Sequence, residues 1–506
     1  MSRRPVLLVI FDGFGLNPNR VHNGWALART PHLDHYFASN PHTALEASGL
    51  AVGLPDGQFG NSEVGHLTLG AGRILEQDLL RISEAIAGGH LVENLAWQRL
   101  LEGSQRVHLI GLVSDGGVHS HMEHLFGILA VLKQAGVTPV IHMITDGRDT
   151  PPKVAAKFLA ALERRLAEQG TGEIATVSGR YFAMDRAKHW DRTHKAWSAM
   201  VLGKGLHAET PLDAIESAYA RGESDEFIQS TVIGSPPIPL IALDEPVFFF
   251  NFRSDRMRQL AAAIGLAEFS DFECDTGSRQ VVCMTQYNVR FPFPILFAPR
   301  QPEKVLAEVI SESGLKQFHC AEREKYPHVT YFFNGGREKP FVGEDREIIP
   351  SPDVATYDLM PEMSATQVAD RIIKAIDSDQ YHFILLNFAN ADMVGHTAIR
   401  QAIIQAVETL DLQSHRVIQA ALKRDFRILL TADHGNCDEM VDPVTGEPHT
   451  RHTAYPVPFL LMGEQNVQLG TGRGLSDVAP TVLDLMGLSQ PPEMTGSSLI
   501  LRPRDL

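Results

Sequence analysis

Five short segments carry oxygen and imidazole side chains suited to divalent cations: Asp12 in FDGFG, Ser62 in FGNSEVGH, Asp392 and His396 in NADMVGHT, Asp433 and His434 in TADHGN, and His452 in PHTRHTAYP. Mixed carboxylate and imidazole ligation suits Mn2+, Zn2+ or Co2+ better than Mg2+, which prefers oxygen alone. One ion cannot use all of these groups. Two four- or five-coordinate ions roughly 3.5–4 Å apart could, and such pairs clamp the attacking and leaving oxygens of a phosphoryl transfer. Taken singly, each segment has an ordinary reading: Asp-Gly after a strand marks a turn, a serine before a helix caps it, and an Asp–His pair arises by chance. The conjunction is what points to a metal centre.

A second chemistry occupies the middle of the chain. Arg148 and Asp149 lie in DGRDTPP, Arg180 and Arg186 in SGRYFAMDR, Arg253 and Arg256 in NFRSDR, and His119 and His121 in DGGVHSH. The planar guanidinium fork pairs bidentately with carboxylate and phosphate oxygens, so these residues on one rim would make a pocket for a small polyanion. For any one arginine the plainer reading is a surface bridge to a neighbouring Asp149, Asp185 or Asp255. With 45 Lys+Arg against 61 Asp+Glu and a net charge of −16, the chain has no general basic field, which argues against nucleic acid or an anionic membrane as partner. Lys325, in EKYPHVTYFF, either neutralises a phosphate oxygen near the junction of two domains or is a solvated surface lysine.

Residues so far apart need a scaffold that gathers them. Short apolar, β-branched runs precede most of them: Val6 to Ile10 before Asp12, Val107 to Val113 before SDGGVHSH, Val140 to Ile144 before TDGRDTPP, and Ile174 to Val177 before SGRYFAMDR. Val247 to Phe250, Phe383 to Leu386 and Arg427 to Leu430 likewise lead into NFRSDR, NFANADMVGH and TADHGN. Helical patterns lie between, such as ATQVADRIIKAI behind a capping Ser364, and DVAPTVLDLM opened by Ser476 with Gly487 just beyond. The alternation predicts an α/β fold with mostly parallel sheets flanked by helices, its sites at the carboxyl ends of the strands.

At roughly 150 residues per domain, 506 residues exceed one core. The proline-crowded stretch 291–302, FPFPILFAPRQP, predicts a linker, and GAGR near 70–76 predicts its counterpart. Residues 1–75 with 303–506 are then expected to form a discontinuous metal-binding domain, with a substrate-binding domain, 76–302, inserted and hinged on the two linkers. Cys274, Cys283, Cys320 and Cys437 are far apart with no CxxC spacing, which argues against disulfides and thiolate zinc and for a reducing compartment. The opening MSRRPVLLVIFDG has too short an apolar run for a signal peptide, and no stretch approaches the roughly 18 apolar residues of a membrane span. A cytoplasmic, soluble protein is expected.

In order along the chain, FDGFG, GNSEVGH, GAGR, SDGGVHSH, DGRDTPP, SGRYFAMDR, FNFRSDR, EKYPHVTYFFNGG, TYDLMPEMSA, NADMVGH, TADHGN and HTAYPVP resemble the cofactor-independent (2,3-bisphosphoglycerate-independent) phosphoglycerate mutases over essentially the whole length. The metal motifs alone would indicate only the wider alkaline-phosphatase-like superfamily. The resemblance implies two ions, usually manganese, with Co2+, Zn2+ or Mg2+ as alternatives: one on Asp392, His396 and His452, the other on Asp12, Ser62, Asp433 and His434. It implies Ser62 as nucleophile, and substrate held by His119, Arg148, Asp149, Arg180, Arg186, Arg253, Arg256 and Lys325. The implied activity is interconversion of 3-phosphoglycerate and 2-phosphoglycerate in glycolysis and gluconeogenesis through a phosphoserine. Asp149 or His119 would serve as base, and Lys325 would balance charge. Ala391 stands where such proteins commonly carry proline and Thr68 where asparagine is usual; neither replaces an implied ligand. A metal-dependent hydrolase of the same superfamily and a non-enzymatic metal binder are the competing readings. One chain carries every implied residue, so a monomer is expected.

Overall fold

In the computed structural model the described residues are 4–235, 240–274 and 279–501, so the first three residues of the opening segment lie outside them. The chain divides into two compact units, one built from residues up to Gln77 together with Gln301 onward, the other from Asp78–Arg300.

The first unit is centred on the strand Val6–Phe11, whose six residues are all fully buried. Burial on both faces explains the unbroken apolar run, as expected of a central parallel strand. Its eight-stranded sheet runs Glu344–Ile349, Gln317–Glu322, Phe383–Phe388, Val6–Phe11, Arg427–Ala432, Val457–Met462, His42–Glu46 and Arg473–Gly474. The first five are mutually parallel, and Val457–Met462 is antiparallel to both its neighbours. Register decides where the chemistry falls: Phe11 pairs with both Phe388 and Ala432, so three strands end level and the residues after them leave at one edge. The helix Ala365–Asp377 buries Ala365, Val368, Ala369, Ile372, Ala375 and Ile376, a stripe at helical spacing that seats it on the core beside the helix Arg400–Lys423.

The second unit repeats the scheme. Its sheet runs Ile295–Phe297, Val281–Thr285, Val247–Phe249, Arg106–Leu112, Thr138–Thr145, Glu173–Gly179, Thr231–Ile233 and Leu206–Ala208, parallel except between Glu173–Gly179 and Thr231–Ile233. Leu112 pairs with Ile144 and Thr145 with Gly179, which aligns the loops carrying His119, Asp149 and Arg180. The α/β fold with mostly parallel sheets is as the sequence predicts.

Several local expectations need correction. The stretch 291–302 is not wholly a linker: Ile295–Phe297 is an edge strand of the second unit's sheet, the position where flanking prolines cost no ladder hydrogen bonds. GAGR itself closes the helix Ser62–Ala71, with Gly72 in the left-handed region, and the connection expected near 70–76 runs from there to Gln77, where the first unit's opening segment ends. Ser364 sits at the N-cap of its helix, but its hydroxyl donates to the Pro350 carbonyl instead of capping. The last helix, Val478–Met486, is entered through a single tight turn, Leu475–Asp477, where the Asp477 carboxylate accepts from Gly474 N–H; Ser476 does not cap it, while Gly487 does close it. Among the described residues no helix is long and apolar enough to cross a membrane.

Candidate metal centre and anion-binding residues

Asp12 is the first residue after Val6–Phe11, and Asp433 and His434 directly follow Arg427–Ala432, so the level strand ends set them side by side. Asp392 lies in the short helix Asn390–Gly395 that follows the third level strand, with His396 just past its end. Ser62 arrives on a helix of its own: Asn61 is the N-cap, accepting from Val64 N–H, which leaves the Ser62 hydroxyl at the first helical position unused by capping. Gly65 allows that helix its close approach, since a Cβ there would lie 2.7 Å from the Asp433 carbonyl oxygen.

The cluster is dense and buried. Ser62 Oγ donates to Asp12 Oδ1 at 3.0 Å and lies 3.0 Å from His434 Nε2. Lys325, expected at a junction or on the surface, is instead 3% exposed inside the cluster. Its ammonium donates to Asp12 Oδ1 at 2.6 Å, Asp392 Oδ2 at 2.6 Å and Ser62 Oγ at 2.8 Å. Burial would raise the pKa of Asp12 and Asp392, but Lys325 overrides it and holds both carboxyls well below the usual range. Burial alone would make Lys325 less basic; the facing carboxylates of Asp12 and Asp392 raise it instead. The same opposition at His434, burial against Asp433 and Asp12, leaves its imidazole pushed up to about 9.

The donor set fits divalent cations. Ligand atoms of Asp12, Asp433 and His434 lie within 4.8 Å of one another, as do those of Asp392, His434 and His452. Asp433 Oδ2 is buried yet accepts no hydrogen bond, and the Nε2 atoms of His396 and His452 face each other at 3.2 Å, a spacing natural for two nitrogens on one ion. His434 belongs to both groups and His396 to neither, although His396 Nε2 is 3.3 Å from Asp392 Oδ1.

The second unit gathers the other set. His119 is 4% exposed, with Nε2 3.9 Å from Asp149 Oδ2 and Nδ1 3.9 Å from Asp255 Oδ1. Burial, then the Arg180 guanidinium, push its pKa down to about 4, so it is neutral at pH 7. Arg186 and Arg253 both approach Asp255, at 2.7 and 3.5 Å, and Arg148 approaches Glu226 at 3.5 Å. Arg186, Arg253 and Arg148 remain about half exposed, at 56%, 46% and 57% of their side-chain surface. Arg256 donates to the Met184 carbonyl. Arg180 stands at the strand end expected of it but is only 2% exposed, with Nη1 held between Asp146 and Asp149. Asp185 serves His189, Arg192 and Gln259 rather than a substrate arginine, and His121 caps the helix Met122–Ala135.

A family model described as the metalloenzyme superfamily matches residues 4–490. A 2,3-bisphosphoglycerate-independent phosphoglycerate mutase of Moorella thermoacetica is 50% identical, covering 99% of this chain and 99% of its own, and that of Clostridium novyi is 48% identical, covering 99% and 100%. The chain belongs to this family of mutases. A solved phosphoglycerate mutase of Leishmania mexicana, studied at low cobalt concentration, agrees with a TM-score of 0.75 at 31% identity over 99% of this chain and 98% of that one. The family resemblance read from the motifs is thereby borne out.

Other residues shape the mutase's metal cluster without appearing among those singled out in the sequence. His66 Nδ1 donates to the Ser62 carbonyl at 2.9 Å, and Asn387 Nδ2 donates both to His66 Nε2 at 3.0 Å and to Asp12 Oδ2 at 2.8 Å. Asn436 donates to Asp392 Oδ1 at 2.8 Å. Signals existed: His66 is one helical turn beyond Ser62, and Asn387 is the polar residue in the otherwise apolar strand FILLNF. Gly13 has φ +73° and its N–H donates to Asp433 Oδ1, while a Cβ there would lie 2.7 Å from the Asp392 backbone. Gly13→Ala is therefore expected to cost about 2–4 kcal/mol of stability, read from denaturant midpoints at unchanged m-value. A cost under about 1 kcal/mol would mean that this turn relaxes freely.

Proposed function

We propose that the chain interconverts 3-phosphoglycerate and 2-phosphoglycerate by storing the phosphoryl group on Ser62 while the second unit's arginines retain glycerate. The observation that carries this reading is the Ser62 hydroxyl, buried yet unused by its helix, held among Asp12, His434 and Lys325. Two divalent ions, for which Mn2+ is the best-suited candidate, would be held by Asp392, His396 and His452 and by Asp12, Ser62, Asp433 and His434, and would supply the positive charge that favours the Ser62 alkoxide and offsets the phosphoryl oxygens.

This chain's own residues do the rest. Ser62 Oγ attacks phosphorus, the bond to the 3-oxygen breaks, the proton given up by Ser62 ends on that oxygen, and phosphoserine and glycerate result. Lys325 lies within reach of Ser62 Oγ and balances charge there. Arg186, Arg253 and Arg256, with Arg148, Arg180 and His119, hold the glycerate carboxylate and keep the acid from diffusing away. Asp149, whose side chain is 17% exposed against 5% for His119, takes the proton of the 2-hydroxyl as that oxygen attacks phosphoserine. The product is 2-phosphoglycerate and free Ser62.

Supplying 3-phosphoglycerate with Mn2+ and no bisphosphoglycerate, and following 2-phosphoglycerate and inorganic phosphate together, tests the reading. The expected product is 2-phosphoglycerate; phosphate alone would make the chain a hydrolase, and neither would make it a binder. Arg253→Ala is expected to lower isomerisation about tenfold or more while sparing hydrolysis of a simple aryl phosphate. Equal loss of both would remove the glycerate-holding role. Cys283, Cys320 and Cys437 are buried and form no disulfide, which supports a cytoplasmic setting, and the complete residue set in one chain supports a monomer.

A further inference from the structure

Asp146 was not among the residues singled out in the sequence, yet it has more polar partners than any neighbour in its loop. It follows the strand Thr138–Thr145 directly, and because Thr145 pairs with Gly179, Asp146 and Arg180 leave the sheet side by side. The residue is 2% exposed. Oδ1 accepts from Arg180 Nη1 at 2.6 Å and from the backbone N–H groups of Asp149 at 3.0 Å and Arg148 at 3.2 Å. Oδ2 accepts from Ser114 Oγ at 2.7 Å. The same Arg180 Nη1 donates to Asp149 Oδ2 at 2.5 Å.

We propose that Asp146 is a positioning residue for the isomerisation: it shapes the turn that presents Arg148 and Asp149, and it draws part of the Arg180 charge away from Asp149. The inference rests on the reading that Asp149 accepts the 2-hydroxyl proton. Two carboxylates share one guanidinium, so Arg180 is not committed to Asp149 alone and the trio carries a net negative charge. Without the charge on Asp146, Arg180 and Asp149 become a one-to-one, part-buried pair. A carboxylate so paired accepts a proton poorly. The backbone bonds to Oδ1 survive an amide in place of the carboxylate, which separates the electrostatic part from the shape of the turn.

The test uses the full chain with Mn2+ and 3-phosphoglycerate. Asp146→Asn is expected to lower kcat about tenfold or more, with KM within about threefold and a cooperative melt retained. A merely structural role would instead raise KM by displacing Arg148. Because Asp146 acts through Arg180, the double variant Asp146→Asn/Arg180→Met is expected to match Arg180→Met alone. Unchanged kcat in Asp146→Asn, or losses that multiply in the double variant, would overturn the inference. Asp149→Asn runs in parallel: activity kept there removes the proton-acceptor reading and this inference with it, whereas activity lost there but kept in Asp146→Asn removes the inference alone. Should Asp146→Asn fail to fold, Asp146→Glu, which keeps the charge but displaces the carboxylate, is expected to show a comparable kcat loss, and wild-type kcat there would overturn the proposal.

Discussion

Ser62→Ala is expected to lower turnover of 3-phosphoglycerate by about 10^4-fold or more, because it removes the hydroxyl held among Asp12, His434 and Lys325 that takes the phosphoryl group. The fold should survive. Asn61, not Ser62, caps the helix, alanine is favourable at its first position, and Lys325 keeps Asp12 and Asp392 as partners after the hydroxyl is gone. Acid quench during turnover followed by intact-protein mass spectrometry is the direct check: a phosphoryl adduct mapped to the Ser62 peptide in the wild type, and none in the variant. A Ser62→Ala protein that isomerises at near-normal rate would rule out phosphoserine as an intermediate.

Exhaustive chelation is expected to abolish activity entirely and Mn2+ to restore it. Asp12, Asp392 and Asp433 are buried within one cluster in which, among the described residues, Lys325 and the raised His434 supply positive charge, so negative charge still exceeds it. Ions that bind the folded chain and not the unfolded one stabilise it by mass action, about 2.7 kcal/mol at a hundred times Kd. Thermal midpoints should therefore rise with Mn2+ and flatten in Asp433→Asn, which removes one donor. Activity that persists after chelation, or a melt indifferent to Mn2+, would contradict the metal assignment.

The sequence was most informative where one residue type can serve only a few purposes. Predominantly apolar runs at Val6 to Ile10, Val140 to Ile144 and Arg427 to Leu430 marked what are the strands Val6–Phe11, Thr138–Thr145 and Arg427–Ala432, and the polar loops after them marked Asp12, Asp149 and Asp433. Pairing across strands is not written in any single segment. Asp146 meets Arg180 only because Thr145 is opposite Gly179, and Asn387 reaches Asp12 only through the parallel pairing of their strands. Lys325 looked like a surface lysine because its partners Asp12, Ser62 and Asp392 lie 313, 263 and 67 residues away along the chain. Proline density at 291–302 suggested a free linker, but an edge strand tolerates the same composition.

The central strand Val6–Phe11 is paired on one side by Phe383–Phe388 and on the other by Arg427–Ala432. During translation it is made well before its partners, which follow roughly 370 residues later, about 20–75 s at ordinary ribosomal speed. Throughout that interval a wholly apolar segment has both edges open, a template for association between nascent chains. A holdase that covers this segment, or early completion of the independently cored Asp78–Arg300 unit, would then govern the yield of active enzyme more than the final stability does.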